Sequence, residues 1–234
     1  PNDMAALTVL RRQALGLPEA PEDGGSYDLV VVGGGIAGTS AALAAARLGL
    51  RVALLQDRPV LGGNNSSEVR VWLNGGINLP PYPRIGDIVA ELEPKKRAHI
   101  GTENSAEIYE DDRRLALVGS EKNLTLLLDQ RVNGIEAADG VVRAVVAQHI
   151  RTARRLRLTA RWFADCTGDG AVGAMAGADF ETTHTGHMGP SNLWNVQDSG
   201  QAEPFPKCEC EDTNAVNMTF AAGKDAAPFP RCSW

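Results

Sequence analysis

The sequence predicts an α/β fold in which a central parallel sheet carries an inserted antiparallel β-meander. Three observations predict it. A short β-branched run, Asp28-Leu29-Val30-Val31-Val32, leads into a glycine turn, an alanine- and leucine-rich stretch and a second apolar run at Arg51 to Leu55. Ala138-Asp139-Gly140 separates two β-rich runs within residues 131–160. A last apolar run, Trp162 to Cys166, precedes Thr167-Gly168-Asp169-Gly170 and a small-residue stretch through Ala176.

Residues 1–25 form an N-terminal extension. Met4 to Leu15 can make a short helix, and Pro18, Pro21 and Gly24-Gly25 then break the pattern. Asp28 to Val32 has the continuous apolar character of a strand buried on both faces. Ile36 to Leu48 reads as a helix stopped by Gly49. Arg51 to Leu55 follows as the next strand, completing a strand–turn–helix–strand unit with short connections, the first half of a doubly wound fold. Residues 58–83 are loop-like, with two Gly-Gly pairs, asparagines and Pro80, Pro81 and Pro83. Residues 84–120 are expected to be a mostly helical, charged insertion broken near Gly101. Asn123 to Leu128 is expected as a strand, and Asp139-Gly140 as a hairpin turn. From residue 184 the chain is rich in proline, glycine and asparagine, and no regular element is assigned.

Composition narrows the function. A hydrophobic fraction of 43% suffices for a sizeable core, and the net charge of −6 argues against a nucleic-acid surface. The basic cluster from Arg151 to Arg157 alternates with apolar residues and reads as the wet face of a strand. No run approaches the ~20 apolar residues of a membrane span. Cys166, Cys208, Cys210 and Cys232 are too few and too unevenly spaced for a disulfide scaffold. The chain begins at Pro1 and ends in a loop-like segment, so a fragment of a longer protein is expected.

The central motif is Gly33-Gly34-Gly35-Ile36-Ala37-Gly38, a G-x-G-x-x-G set between a predicted strand and a predicted helix. Gly33 permits the tight turn, Gly35 admits a pyrophosphate against the backbone, and Gly38 lets helix and strand approach closely. The helix start offers Ile36 and Ala37 N–H groups and a positive dipole end to the phosphates. This is the fingerprint of a Rossmann-like dinucleotide-binding domain. An acid about 20 residues on would bond the ribose hydroxyls. Gln56 holds that position and Asp57 follows it; either can serve, the glutamine without charge assistance. Arg58 would suit a nicotinamide cofactor carrying a 2′-phosphate.

The run from Arg58 to Glu68, with Leu61-Gly62-Gly63-Asn64-Asn65, resembles the second glycine signature of FAD-dependent oxidoreductases whose cofactor domain is like that of glutathione reductase. That run through Arg70, and Ala164 to Gly170, resemble the bacterial FAD-dependent oxidoreductase family over roughly residues 27–200. The resemblance implies FAD as cofactor, with Gly62, Gly63 and Asn64 returning along the pyrophosphate. It implies the backbone of Val132 against the adenine, and Thr167, Gly168 and Asp169 near the FAD. Gln56 departs from the acid of the wider superfamily. Asp169 equally suits a helix N-cap. The domain order implied is residues 26–183 as the FAD-binding domain and 184–234 as the start of an incomplete substrate region.

Weaker candidates remain. His184 and His187 can be exposed loop residues, members of a metal site lacking a third ligand at convincing spacing, or proton-transfer groups beside the flavin. Cys208-Glu209-Cys210 reads as loop thiols, Cys166 as a packing residue, and Glu110 to Arg114 as a solvated helix face. No metal site and no catalytic base is assigned. The expected function is flavin-dependent oxidation of a small organic substrate, possibly hydroxylated or a sugar by family association. An NAD(P)-dependent dehydrogenase and a non-catalytic nucleotide-binding module are the alternatives.

Overall fold

The computed structural model describes residues 4–73, 75–76, 78–84, 86–95 and 105–183. Among these, α1 (Met4–Ala14) precedes β1 (Glu22–Val32), α2 (Ile36–Arg47) and β2 (Val52–Leu55). A short 3₁₀ turn at Gly63–Asn65 leads to α3 (Asp87–Leu92) and α4 (Asp111–Gly119), with a second 3₁₀ turn at Ala106–Tyr109 between them. Strands β3 (Leu124–Leu127), β4 (Gln130–Ala138), β5 (Val141–His149) and β6 (Arg155–Asp165) follow, then α5 (Ala171–Met175).

The six strands make one sheet in the order β3-β2-β1-β6-β5-β4. β3, β2, β1 and β6 run parallel, while β6, β5 and β4 are antiparallel neighbours. The predicted mixed architecture is therefore present. β6 belongs to both halves, pairing with β5 along its first residues and with β1 along nearly its whole length. The two-residue Asp139-Gly140 turn joins β4 to β5 with positive φ at both positions, as a tight hairpin turn requires.

Strand periodicity explains the core. In β2, Val52 and Leu54 face one side of the sheet and Ala53 and Leu55 the other, and all four are fully buried. The first pair joins Val31 under α2, against Ala42, Leu43 and Ala46. The second pair joins Val30, Val32, Val132, Val145 and Leu158 on the opposite face. Burial on both faces is why these strands read as unbroken apolar runs. Each fully buried valine or leucine contributes roughly 1.5–3 kcal/mol.

Two expectations change. β1 begins at Glu22 rather than Asp28: Glu22 and Asp23 pair with Leu156 and Arg157, and Gly24-Gly25 lies in a bulge instead of ending the strand. Bulges absorb an extra residue without ending a ladder. The Glu110–Arg114 run is not a uniformly solvated face, because Arg114 is wholly buried. Among the described residues of the insertion between 84 and 120, helix is found at α3 and α4. Residues 96–104, including the break expected near Gly101, lie outside the described residues, as do His184, His187, Cys208, Cys210 and Cys232.

Candidate cofactor site

The parallel strands end level with one another, since Val32 pairs with both Leu55 and Asp165. Chain direction around the sheet reverses here, with β2 on one side of β1 and β6 on the other. Ligands of open α/β sheets bind in the crevice outside such strand ends. Three segments meet at this edge: Gly33–Gly35 after β1, Gln56–Gly63 after β2, and Cys166–Gly170 after β6.

The first segment is shaped by what its glycines leave out. Gly33 has φ +103°, and a β-carbon there would overlap the Cys166 carbonyl and lie 2.9 Å from Thr167 N. A β-carbon on Gly38 would overlap the Gly33 carbonyl oxygen. Gly35 behaves differently: a β-carbon there would meet nothing within 4 Å. Gly35 is the N-cap of α2 and makes no side-chain cap. Thr39 N–H is the first to bond within the helix, to Gly35 O at 2.9 Å, so the N–H groups of Ile36, Ala37 and Gly38 have no acceptor within the helix.

The Gly34 peptide is pinned. Its N–H donates to Gln56 Oε1 at 2.8 Å, and its carbonyl accepts from Thr39 Oγ1 at 3.0 Å and Gly62 N–H at 2.8 Å. Gln56 is nearly buried and its Nε2 donates to Val60 O at 3.1 Å. The glutamine is therefore turned inward. Its neutral amide supplies one acceptor and one donor, matching an N–H and a carbonyl that a carboxylate could not both serve. Asp57 next to it is half-buried at the rim. Arg58 lies 3.7 Å from Glu68.

The second glycine segment runs close beside the first. Gly62 forms an isolated parallel bridge with Gly35, and a β-carbon on Gly63 would lie 3.1 Å from the Gly35 α-carbon. Asn64 is exposed and its carbonyl accepts from Val71 N–H at 2.9 Å. Asn65 is buried; its Nδ2 donates to Val71 O at 2.7 Å, while its backbone and side-chain oxygens accept from Arg114. Ser66 Oγ donates to Gly63 O at 2.6 Å. Beyond this loop Trp72 stacks on buried Tyr109, with ring centroids 5.1 Å apart.

The remaining predicted residues divide. Val132 has its side chain in the core, and β4, at the sheet edge, starts beside β2: Gln130 N–H donates to Gln56 O at 2.9 Å. Thr167, Gly168 and Asp169 lie at the crevice mouth, the latter two exposed. Asp169 is not the cap of α5. Asp165 and Thr167 do that work: Asp165 Oδ1 accepts from Thr167 N–H (3.0 Å) and Oγ1 (2.7 Å), its Oδ2 from Gly173 N–H (2.9 Å), and Thr167 Oγ1 from Ala171 N–H (3.0 Å). Burial pushes the Asp165 carboxyl up, but hydrogen bonds from Gly173, Thr167 and Val172 outweigh it and hold it below the usual carboxylate range. Cys166 is half-buried and packs against the α2 face of the core; burial first, then Asp165, raises its thiol.

Reasoning from sequence missed Arg114, Asn65 and Asp165. Arg114 and Val118 are four apart and both fully buried, so helical spacing carried a signal that the surrounding charges obscured. Among the described residues no group of three or more His, Cys, Asp or Glu could hold a metal ion, and no helix is long and apolar enough to cross a membrane.

A glycine-lined crevice at level parallel strand ends, opening on a bare helix start, defines a dinucleotide-binding α/β domain. Residues 28–226 match the family model described as FAD dependent oxidoreductase, and the chain belongs to that family. Its cofactor is FAD. The chain is 30% identical over 141 residues to the tRNA uridine 5-carboxymethylaminomethyl modification enzyme MnmG of Geobacillus thermodenitrificans, covering 53% of this chain and 22% of that protein. It is 28% identical over 169 residues to digeranylgeranylglycerophospholipid reductase 1 of Methanococcoides burtonii, covering 65% and 40%. Among solved structures it is similar to the myxobacterial FAD-dependent chondrochloren halogenase CndH, at 17% identity and a TM-score of 0.42 over 64% of this chain and 38% of that one. The chain thus spans well under half the length of these relatives. The residues present fit FAD: the open space off Gly35 and the first-turn N–H groups of α2 behind it suit a pyrophosphate.

Proposed function

We propose that this chain forms the FAD-binding part of an oxidoreductase that takes a hydride from a small organic, hydroxylated substrate. The observation that carries the reading is Gly35, whose missing side chain opens onto the start of α2 while its neighbours Gly33 and Gly38 are closed by backbone. Bound FAD supplies the hydride-accepting ring; the chain supplies binding, orientation and electrostatics.

In this reading the N–H groups of Ile36, Ala37 and Gly38 hold the pyrophosphate, with Gly62 and Gly63 as the opposite wall. Asp57, not the inward-turned Gln56, bonds the ribose hydroxyls, with charge assistance. The free side of the β4 backbone near Val132 receives the adenine, supported by the bond that brings Gln130 to Gln56. Thr167 to Asp169 line the mouth. The net charge of −6 supports a small substrate over a polyanion.

The test is the visible spectrum of the desalted full-length protein, with chromatography of any released cofactor. Flavin bands and released FAD are expected, with bleaching by a reduced hydroxylated substrate. Gly35→Val should lose the flavin while staying folded. A Gly35→Val protein that copurifies yellow overturns the assignment of the site.

A further inference from the structure

Arg114 is completely buried on α4, 49 residues along the chain from its main partner. A buried guanidinium must find acceptors for its five N–H donors. Here Nε donates to Leu92 O at 2.9 Å, and the two terminal nitrogens donate to Asn65 O and Asn65 Oδ1. The nearest carboxylate, Asp111, stands off at 3.9 Å. The arginine therefore serves carbonyl oxygens of the second glycine loop more closely than it serves an ion pair. A β-carbon on Gly62 would overlap the guanidinium, so the loop is packed against it without a gap. From Gly62 the contact continues to Gly34 through the 2.8 Å N–H···O bond, and from Gly63 to Gly35.

We propose that Arg114 is a positioning residue of the cofactor cradle, holding the Gly62–Ser66 loop at the spacing from Gly35 that receives the FAD pyrophosphate. This rests on the reading of the two glycine loops as the pyrophosphate site. Lysine cannot replace it, because one ammonium does not span Asn65 O, Asn65 Oδ1 and Leu92 O as a fork does. The neighbouring arginine provides an internal control. Arg113 donates to Glu91 O and Glu93 O, and at 3.4 Å to Leu92 O, which it shares with Arg114; it so ties α4 to the end of α3, and these bonds do not reach Asn65.

The experiment compares full-length wild type with Arg114→Lys, Arg114→Met, Asn65→Ala and Arg113→Met. FAD uptake is titrated by flavin fluorescence, and hydrogen exchange of residues 62–71 is followed in protein freed of FAD. Each change at Arg114 or Asn65 is expected to raise the FAD dissociation constant by roughly tenfold or more, the loss of one to two charge-assisted bonds. The same variants should speed exchange of the Gly63–Ser66 amides. Arg113→Met should lower Tm yet leave both readouts within about twofold of wild type. If Arg114→Met does not fold, the Lys and Asn65 variants decide. Unchanged affinity in folded Arg114 variants, or an equal loss in Arg113→Met, overturns the proposal. Wild type that takes up no FAD would instead overturn the site reading, while exchange rates would still report whether Arg114 orders the loop; equal rates in variant and wild type would overturn that.

Discussion

Gly63 packs on Gly35 so closely that a β-carbon on Gly63 would come within 3.1 Å of the Gly35 α-carbon. Two loops 28 positions apart in the chain thus share one wall, and on the other side of Gly35 there is open space.

That asymmetry separates binding from folding. Gly35→Ala should leave stability within about 1 kcal/mol of wild type yet weaken FAD binding. Gly38→Ala drives a methyl into the Gly33 carbonyl and should cost about 1–3 kcal/mol or more, despite the better helix propensity of alanine. Urea unfolding beside a flavin titration checks the pair; equal destabilisation by both would contradict the geometry.

Gln56 and Asp57 are expected to part company in the same way. Gln56→Leu strands the buried Gly34 N–H, at about 1–3 kcal/mol, and also unpairs the part-buried Val60 carbonyl. Asp57→Ala should leave unfolding unchanged and raise the FAD dissociation constant by about tenfold, one charge-assisted bond. A stable Gln56→Leu protein with lost affinity would return the ribose role to the glutamine.

Asp165 predicts an acid limit to order at the crevice mouth. Its folded-state carboxyl is held below the usual range, so the order it confers is fully present above the unfolded value of about 3.9 and is lost as pH falls through the lower folded value. Exchange protection of the Thr167 and Gly173 amides should follow that course. Asp165→Asn should flatten it. A carboxyl midpoint above 4, read by NMR, would contradict the hydrogen-bond pattern.

The Trp72–Tyr109 pair should be unequal. Tyr109 is fully buried, and Tyr109→Ala should cost about 3–5 kcal/mol, in the range of other large aromatic truncations. Among the described residues Trp72 Nε1 is buried without a hydrogen-bond partner, so Trp72→Phe discards no bond and should cost less than Tyr109→Ala. Chemical denaturation of both variants is the measurement.

The parts of this molecule legible from sequence are those written in local periodicity and backbone permission. The β-branched run at Leu29–Val32, the glycine spacing from Gly33 to Gly38 and the Asp139-Gly140 turn all specify geometry within a few residues. Gln56 and Arg114 were illegible for the opposite reason. Whether a polar side chain faces a ligand or a buried carbonyl depends on partners 22 and 49 positions away, and residue type alone does not choose. Asp165 misled through proximity: Asp169 stands nearer to α5, but the chain folds back so that the earlier aspartate meets Gly173 N–H.

β6 lies beside β1, yet more than a hundred residues separate Val32 from Asp165. On the ribosome, both glycine loops emerge long before the strand that closes the crevice. Until residues 155–165 arrive, one edge of β1 has no neighbour, and Val30 and Val32 lack Leu158 and Phe163 on that face. A nascent chain in that interval is a template for wrong pairing. The cofactor fingerprint is thus translated well before the strand that completes the place for the cofactor.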